Sequence, residues 1–282
     1  MKNCFVLTIL FLFTCTANSS AQYAGGSVYT AARLGNAEAI QKFIESNPDS
    51  YSLDNALGSA TVGAQLEIMK MLIDKGADVD HVSSFKTSLL VNAIMKEKFE
   101  AAMLLVNEEA SVDVKGYQSV DQEIKITWFW TPLMCAAYKG HYPLVKLLLK
   151  KGADPKEEGW SLSPRDLETS ADIAAYQGHL KILKLLLKKG SYTRIETVFK
   201  ATRGGHVDVV KYFVREGFDP NKRDPFKGRT LLAEAAWWGN TDLVAYLLKY
   251  GADPTIKDLE GRTPRGYAKE RGYPEMLELL RQ

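Results

Sequence analysis

The chain has 282 residues, 46% hydrophobic and 25% charged, a balance that fits an ordinary soluble protein long enough to bury a substantial core. Its formal charge of +2 supplies no concentrated basic field, so composition argues against nucleic-acid binding through backbone phosphates.

Residues 1–21 read as a targeting segment. Lys2 gives the positive start, Cys4 to Cys15 forms an apolar run too short for an ordinary membrane span, and Ser19, Ser20 and Ala21 offer small residues for cleavage. The mature chain is therefore expected to begin near Gln22, to be periplasmic or secreted, and to contain no membrane span. An alternative takes Leu12 to Cys15 as a lipoprotein box acylated at Cys15, although Phe13 and Thr14 fit that box poorly. Two of the three cysteines fall in this leader, which leaves Cys135 alone in the mature form and excludes an internal disulfide there. Cys135 lies between core positions of a helix, where a small apolar side chain fits, and no partner that would activate it as a nucleophile is evident.

Beyond the leader the chain repeats itself. The clearest unit runs from Thr131 to Asp154. Thr131 can accept a hydrogen bond from the free N–H groups of a helix start, and Pro132 suits the first helical position. Leu133, Ala136 and Ala137 line one face, and Gly140 supplies the left-handed residue needed to reverse the chain. Leu144, Val145, Leu148 and Leu149 mark the buried stripe of a second helix that Gly152 ends. Two such short helices cannot bury both apolar faces alone, so the unit must stack on copies. The copies begin at Gly26, Asn55, Ser88, Thr169, Glu196, Thr230 and Thr263, and the stop KGAD or YGAD recurs at Lys75, Lys151 and Tyr250. In the unit from Ser88, Glu97 and Glu109 replace both glycines, so this unit is expected to be the least regular.

This pattern resembles the ankyrin repeat, whose unit of about 33 residues carries TPLHxAA and a Gly-His turn before LLxxGAD. The resemblance implies an all-α solenoid of about eight helix-turn-helix units across 22–282, with projecting hairpin loops. Met134 stands where the motif has histidine. The spacing stretches by about ten residues at 113–130, where Ile124, Ile126 and Trp128 alternate, so a long extended finger with one apolar face is expected there. A smaller expansion from Lys156 to Glu168 carries Trp160. The unit from Thr169 is nearly loopless, so the fingers should differ in height.

The resemblance also separates scaffold from candidate site. In ankyrin-like units the two residues before the turn glycine face the concave surface, which selects Tyr138 and Lys139, Tyr176 and Gln177, Arg203 and Gly204, and Trp237 and Trp238. Finger positions add Trp128, Trp130 and Arg229. Aromatic and arginine side chains are the composition expected of a protein-binding hot spot, whereas packing of Trp128 and Trp130 over the insertion, or of one of Trp237 and Trp238 between units, is the structural alternative. Lys146, Lys150, Lys151, Lys181, Lys184, Lys188 and Lys189 read as a solvated outer face that complements helix dipoles.

His141, His179 and His206 follow turn glycines at equivalent positions. Stacked helices lie about 8–10 Å apart, which is too far for one zinc to gather them, so hydrogen bonds between adjacent turns are the expected role. Neither a catalytic constellation nor a phosphate loop is found, and no cofactor or metal is expected. The function expected is a non-catalytic scaffold, a monomer that binds another protein across the concave face, with an inhibitor or immunity factor as a sub-case. The alternative is a ligand-binding or enzyme-associated module with a pocket between the inserted finger and the concave aromatics.

Overall fold

The computed structural model describes residues 27–82, 87–114, 116–119, 127–160 and 167–281, and at 116–119, 127, 128 and 160 it describes the backbone alone. The expected leader with Cys15, and Ile124 and Ile126 of the expected finger, lie outside the described residues.

Sixteen described helices form eight hairpins. In order they are α1 (Val28–Leu34) and α2 (Ala37–Glu45), α3 (Ser50–Gly63) and α4 (Leu66–Asp74), α5 (Leu89–Met95) and α6 (Phe99–Asn107), and α7 (Pro132–Tyr138) and α8 (Tyr142–Lys150). These are followed by α9 (Ser170–Tyr176) and α10 (Leu180–Lys188), α11 (Ile195–Arg203) and α12 (Val207–Arg215), α13 (Leu231–Trp238) and α14 (Thr241–Lys249), and α15 (Pro264–Arg271) and α16 (Pro274–Leu279). First helices pack on first helices from α1 to α15, and second helices form a parallel row. One continuous core lies between the rows, with Leu133, Ala136, Ala137, Leu144, Val145 and Leu148 all buried as their spacing requires.

The caps follow from the sequence. Met134 N–H donates to Thr131 Oγ1 at 3.3 Å, and Ala233 N–H donates to Thr230 Oγ1 at 3.2 Å. Gly140, Gly152 and Gly251 adopt φ of 71°, 98° and 87°, the left-handed conformation expected of each stop. Where glutamate stands instead, Glu97 and Glu109 take the same conformation at φ 58° and 66°. The expected irregularity of their unit is therefore corrected. Its helices have 7 and 9 residues, as do α7 and α8 in the best-formed unit. Both glutamates bind lysines of that next unit, Lys139 to Glu97 at 2.8 Å and Lys151 to Glu109 at 2.7 Å, so each replaced glycine becomes a link between units.

The fingers add a sheet to the helical array. β1 (Gly116–Ser119) pairs antiparallel with β2 (Thr127–Trp130), whose Phe129 pairs with Trp160 of β3 (Glu158–Trp160). β3 in turn pairs antiparallel with β4 (Leu167–Thr169). The two insertions thus join edge to edge. Gly159 permits this approach, because a Cβ there would lie 2.4 Å from the Phe129 carbonyl oxygen. β2 runs directly into α7 and β4 into α9, which fixes the sheet on the first-helix row.

Candidate functional site

The first helices present a continuous face, and at its C-terminal end this face is organised by a buried carboxylate. Glu234 lies in a run of alanines and leucines on α13 and is 3% exposed. Its Oε1 accepts from Arg203 Nε at 3.0 Å and from Trp238 Nε1 at 3.1 Å, while Oε2 accepts from Arg229 Nη1 at 3.1 Å. A carboxylate taken out of water is tolerable only when its oxygens are satisfied in this way.

The three donors have different surroundings. Trp238 remains 50% exposed although its indole N–H is held, so a large flat ring is fixed at the surface. Arg203 is similarly open, with its side chain 48% exposed. Trp237 is half-buried: the Arg271 guanidinium lies 3.6 Å from its ring centre, and the Tyr267 ring meets it edge-on at 5.4 Å. The alternative foreseen for the tryptophan pair therefore applies to Trp237, which packs between units, and not to Trp238.

Two expected finger residues are corrected. Arg229 is not presented to solvent but is 4% exposed; its Nε donates to Tyr267 Oη at 2.9 Å, and it lies over the Tyr267 and Trp237 rings. The cause is Glu234, which draws the guanidinium inward from the start of α13. Tyr267 Oη donates to Asp258, which extends the network to α15 and its preceding loop. Trp130 is 5% exposed and packs on Tyr138 with ring centres 5.5 Å apart, so it closes the base of the inserted finger. Trp128 is on β2, and its side chain lies outside the described residues.

Farther along the same face, Tyr176 is 46% exposed, Gln177 and Tyr138 are half-buried, and Lys139 is held against Glu97. Gly204 stands beside Arg203 because a Cβ there would lie 2.4 Å from the Tyr176 carbonyl oxygen. Of the residues that repeat position selects, the open ones are Tyr176, Arg203 and Trp238, on three successive first helices.

A second buried acid fixes the sheet to the same row. Asp172 accepts from Thr169 N–H at 3.0 Å, Thr197 Oγ1 at 2.5 Å and Arg194 Nη2 at 2.7 Å, and Arg194 also reaches Glu158 of β3 at 3.2 Å. Burial pushes the Asp172 carboxyl up, but the hydrogen bonds from Thr169, Thr197 and Arg194 and the Lys200 charge outweigh it and hold the group below its ordinary range.

Sequence reasoning missed Glu234, Tyr267, Asp258, Arg271 and Asp172. An acid inside the apolar run LLAEAAWW was a readable sign that a buried cation must be near. Arg271 sits just before Gly272, so the rule that selected Trp238 also reaches it.

Cys135 is 2% exposed, and burial pushes its thiol up to about 12, so it carries almost no nucleophilic thiolate at neutral pH. His141 stacks on Phe99 and accepts from Leu144 N–H at 3.2 Å, and His179 Nε2 lies 3.3 Å from the Tyr138 carbonyl oxygen. His206 packs against Gly178 of the preceding turn. Among the described residues no group of three His, Cys, Asp or Glu side chains could hold a metal ion.

A row of hairpins with capped first helices, left-handed turns and a continuous side-chain face defines a helical-repeat solenoid. The family described as ankyrin repeats (3 copies) matches at residues 64–159, 115–197, 171–258 and 198–282, and the chain belongs to that family. The human ASB11 ankyrin repeat domain has the same fold, with a TM-score of 0.63 and 24% identity over 80% of this chain and 97% of that one. The ankyrin repeat and KH domain-containing protein mask-1 of Caenorhabditis elegans is 30% identical over 98 residues, 34% of this chain and 3% of that protein. CBG24701 of Caenorhabditis briggsae, another ankyrin repeat and KH domain-containing protein, is 25% identical over 190 residues, 66% of this chain and 7% of that protein. The chain therefore spans only a small part of either relative. Ankyrin repeats generally mediate protein–protein interaction and are typically non-catalytic.

Proposed function

We propose that this protein is a non-catalytic scaffold that takes a protein partner on its concave face, centred on Trp238 and reaching Arg203 and Tyr176. The observation that carries the reading is the clamp on Trp238, an indole half exposed yet held by Glu234. A ring fixed before binding loses little rotamer freedom on contact, which is the property of a hot-spot anchor. Arg203 is held by the same carboxylate, so the two open side chains keep a fixed spacing. An inhibitor or immunity-type role is the form this reading takes if the partner is an enzyme and its activity falls on binding.

The test is a photo-crosslinking residue placed at 238, 203 or 176, compared with one at 181 on the second-helix row. Partner adducts confined to the first three positions support the reading. Adducts at 181 alone would remove it.

A further inference from the structure

α8 and α10 differ from the other second helices in charge. With the residues that end them they carry seven lysines, Lys146, Lys150, Lys151, Lys181, Lys184, Lys188 and Lys189, and no acid. Each of the other second helices has at least one acid: Glu38 on α2, Glu67 on α4, Glu100 on α6, Asp208 on α12, Asp242 on α14 and Glu275 on α16. Helix dipoles account for the lysines near the C-termini but not for Lys146 and Lys181, which lie in earlier turns. Lys151 is paired with Glu109 and Lys184 lies over the Tyr212 ring at 4.8 Å. Among the described residues no acid pairs with Lys146, Lys150, Lys181, Lys188 or Lys189, and all five are exposed. Between the helices runs an open groove lined by Pro143, Leu147, Leu149 and Leu185 together with Lys146, Lys150 and Lys189.

We infer that this outer face docks on an anionic lipid surface. Charge complementarity requires an anionic partner, and the kind of cation decides which one. Neither helix contains Arg, Trp or Phe. Protein interfaces depend on aromatic and arginine anchors and are depleted in lysine, whereas strongly hydrated lysine heads on flexible stems suit a fluid layer of headgroups that has no fixed geometry. Lysine stems can extend along the leucines of the groove while their heads stay in the headgroup layer. Tyr142, 40% exposed at the start of α8, adds the amphipathic ring favoured at a lipid–water boundary. This face lies on the opposite row from Trp238, so the inference stands independently of the concave site.

Flotation of the full chain with vesicles tests it, using phosphatidylcholine alone or with about one third phosphatidylglycerol. The chain floats with the anionic vesicles at low salt and stays behind with the neutral ones. Joint replacement Lys146→Glu, Lys150→Glu, Lys188→Glu and Lys189→Glu lowers the floated fraction at least about tenfold without changing the melting curve. If that variant fails to fold, the Gln replacements at the same four positions carry the test and reduce flotation in the same direction. Equal flotation with both vesicles, none with either, or flotation indifferent to the lysines overturns the inference. So does binding to soluble polyglutamate in place of vesicles, which would assign the face to an acidic protein segment. Every variant keeps the same N-terminus, so lipid association through the leader would survive the lysine changes and count against this face.

Discussion

Arg229 and Glu234 form a buried ion pair, Nη1 to Oε2 at 3.1 Å, with their side chains 5% and 4% exposed. Removing one member strands the other in a medium that solvates it poorly, so Glu234→Ala is expected to cost about 3 kcal/mol or more. Arg203 bonds to the same carboxylate from a side chain 48% exposed, and Arg203→Ala should cost less than about 1 kcal/mol. Urea unfolding of both variants gives the comparison. Equal losses would mean that Glu234 does not organise this end of the face.

The turn glycines separate two effects that usually coincide. Gly140 and Gly152 are both left-handed, so alanine at either should cost about 1 kcal/mol in backbone conformation. A Cβ at Gly152 meets nothing within 4 Å, whereas one at Gly140 lies 2.5 Å from His179 Cε1. Gly140→Ala should therefore melt clearly below Gly152→Ala. Matching melting temperatures would show that the His179 ring moves aside freely.

The same turns explain how much of the fold was legible. A glycine reveals a left-handed stop because other residues resist that conformation, and a leucine stripe reveals a buried helix face through its period. Glu97 and Glu109 broke the glycine pattern without breaking the hairpin, since their strain is local and each gains a lysine partner. The sheet was not legible: β2 and β3 meet through backbone groups, and only Gly159 marks their approach. Repeat position anticipated the exposure of Trp238 and Arg203 but not the burial of Arg229 and Trp130. It gives the direction of a side chain within a regular unit, and carries no information about a buried acid or a neighbouring finger that draws the side chain inward.

Acid should loosen the attachment of the sheet at the middle of the array through Asp172. Its folded carboxyl titrates below the ordinary value of 3.8, so its stabilising contribution is complete above that value and is lost as pH falls through the folded one. Asp172→Asn should cost about 2 kcal/mol at neutral pH, a figure kept low because Arg194 is about one third exposed and water screens it. As pH falls from 3.8 toward the lower folded value the variant and the parent should converge. Thermal melts across that range check this, and a gap that widens toward acid would reverse the sign.

The leader proposal predicts a mature N-terminus near Gln22 with Cys135 as the one remaining cysteine. N-terminal sequencing and mass measurement of the native protein decide it. A lipid-modified Cys15 would support the anchored alternative, and an intact Met1 in a cytosolic fraction would end both.

The central claim rests on Trp238 as a clamped, exposed anchor. The most direct measurement is the affinity of Trp238→Ala for the crosslinked partner, taken with its thermal stability. Binding should weaken by about 2 kcal/mol, roughly 30-fold, while unfolding stays within about 1 kcal/mol of the parent. Unchanged affinity, or a loss of stability as large as the loss of binding, would contradict the account.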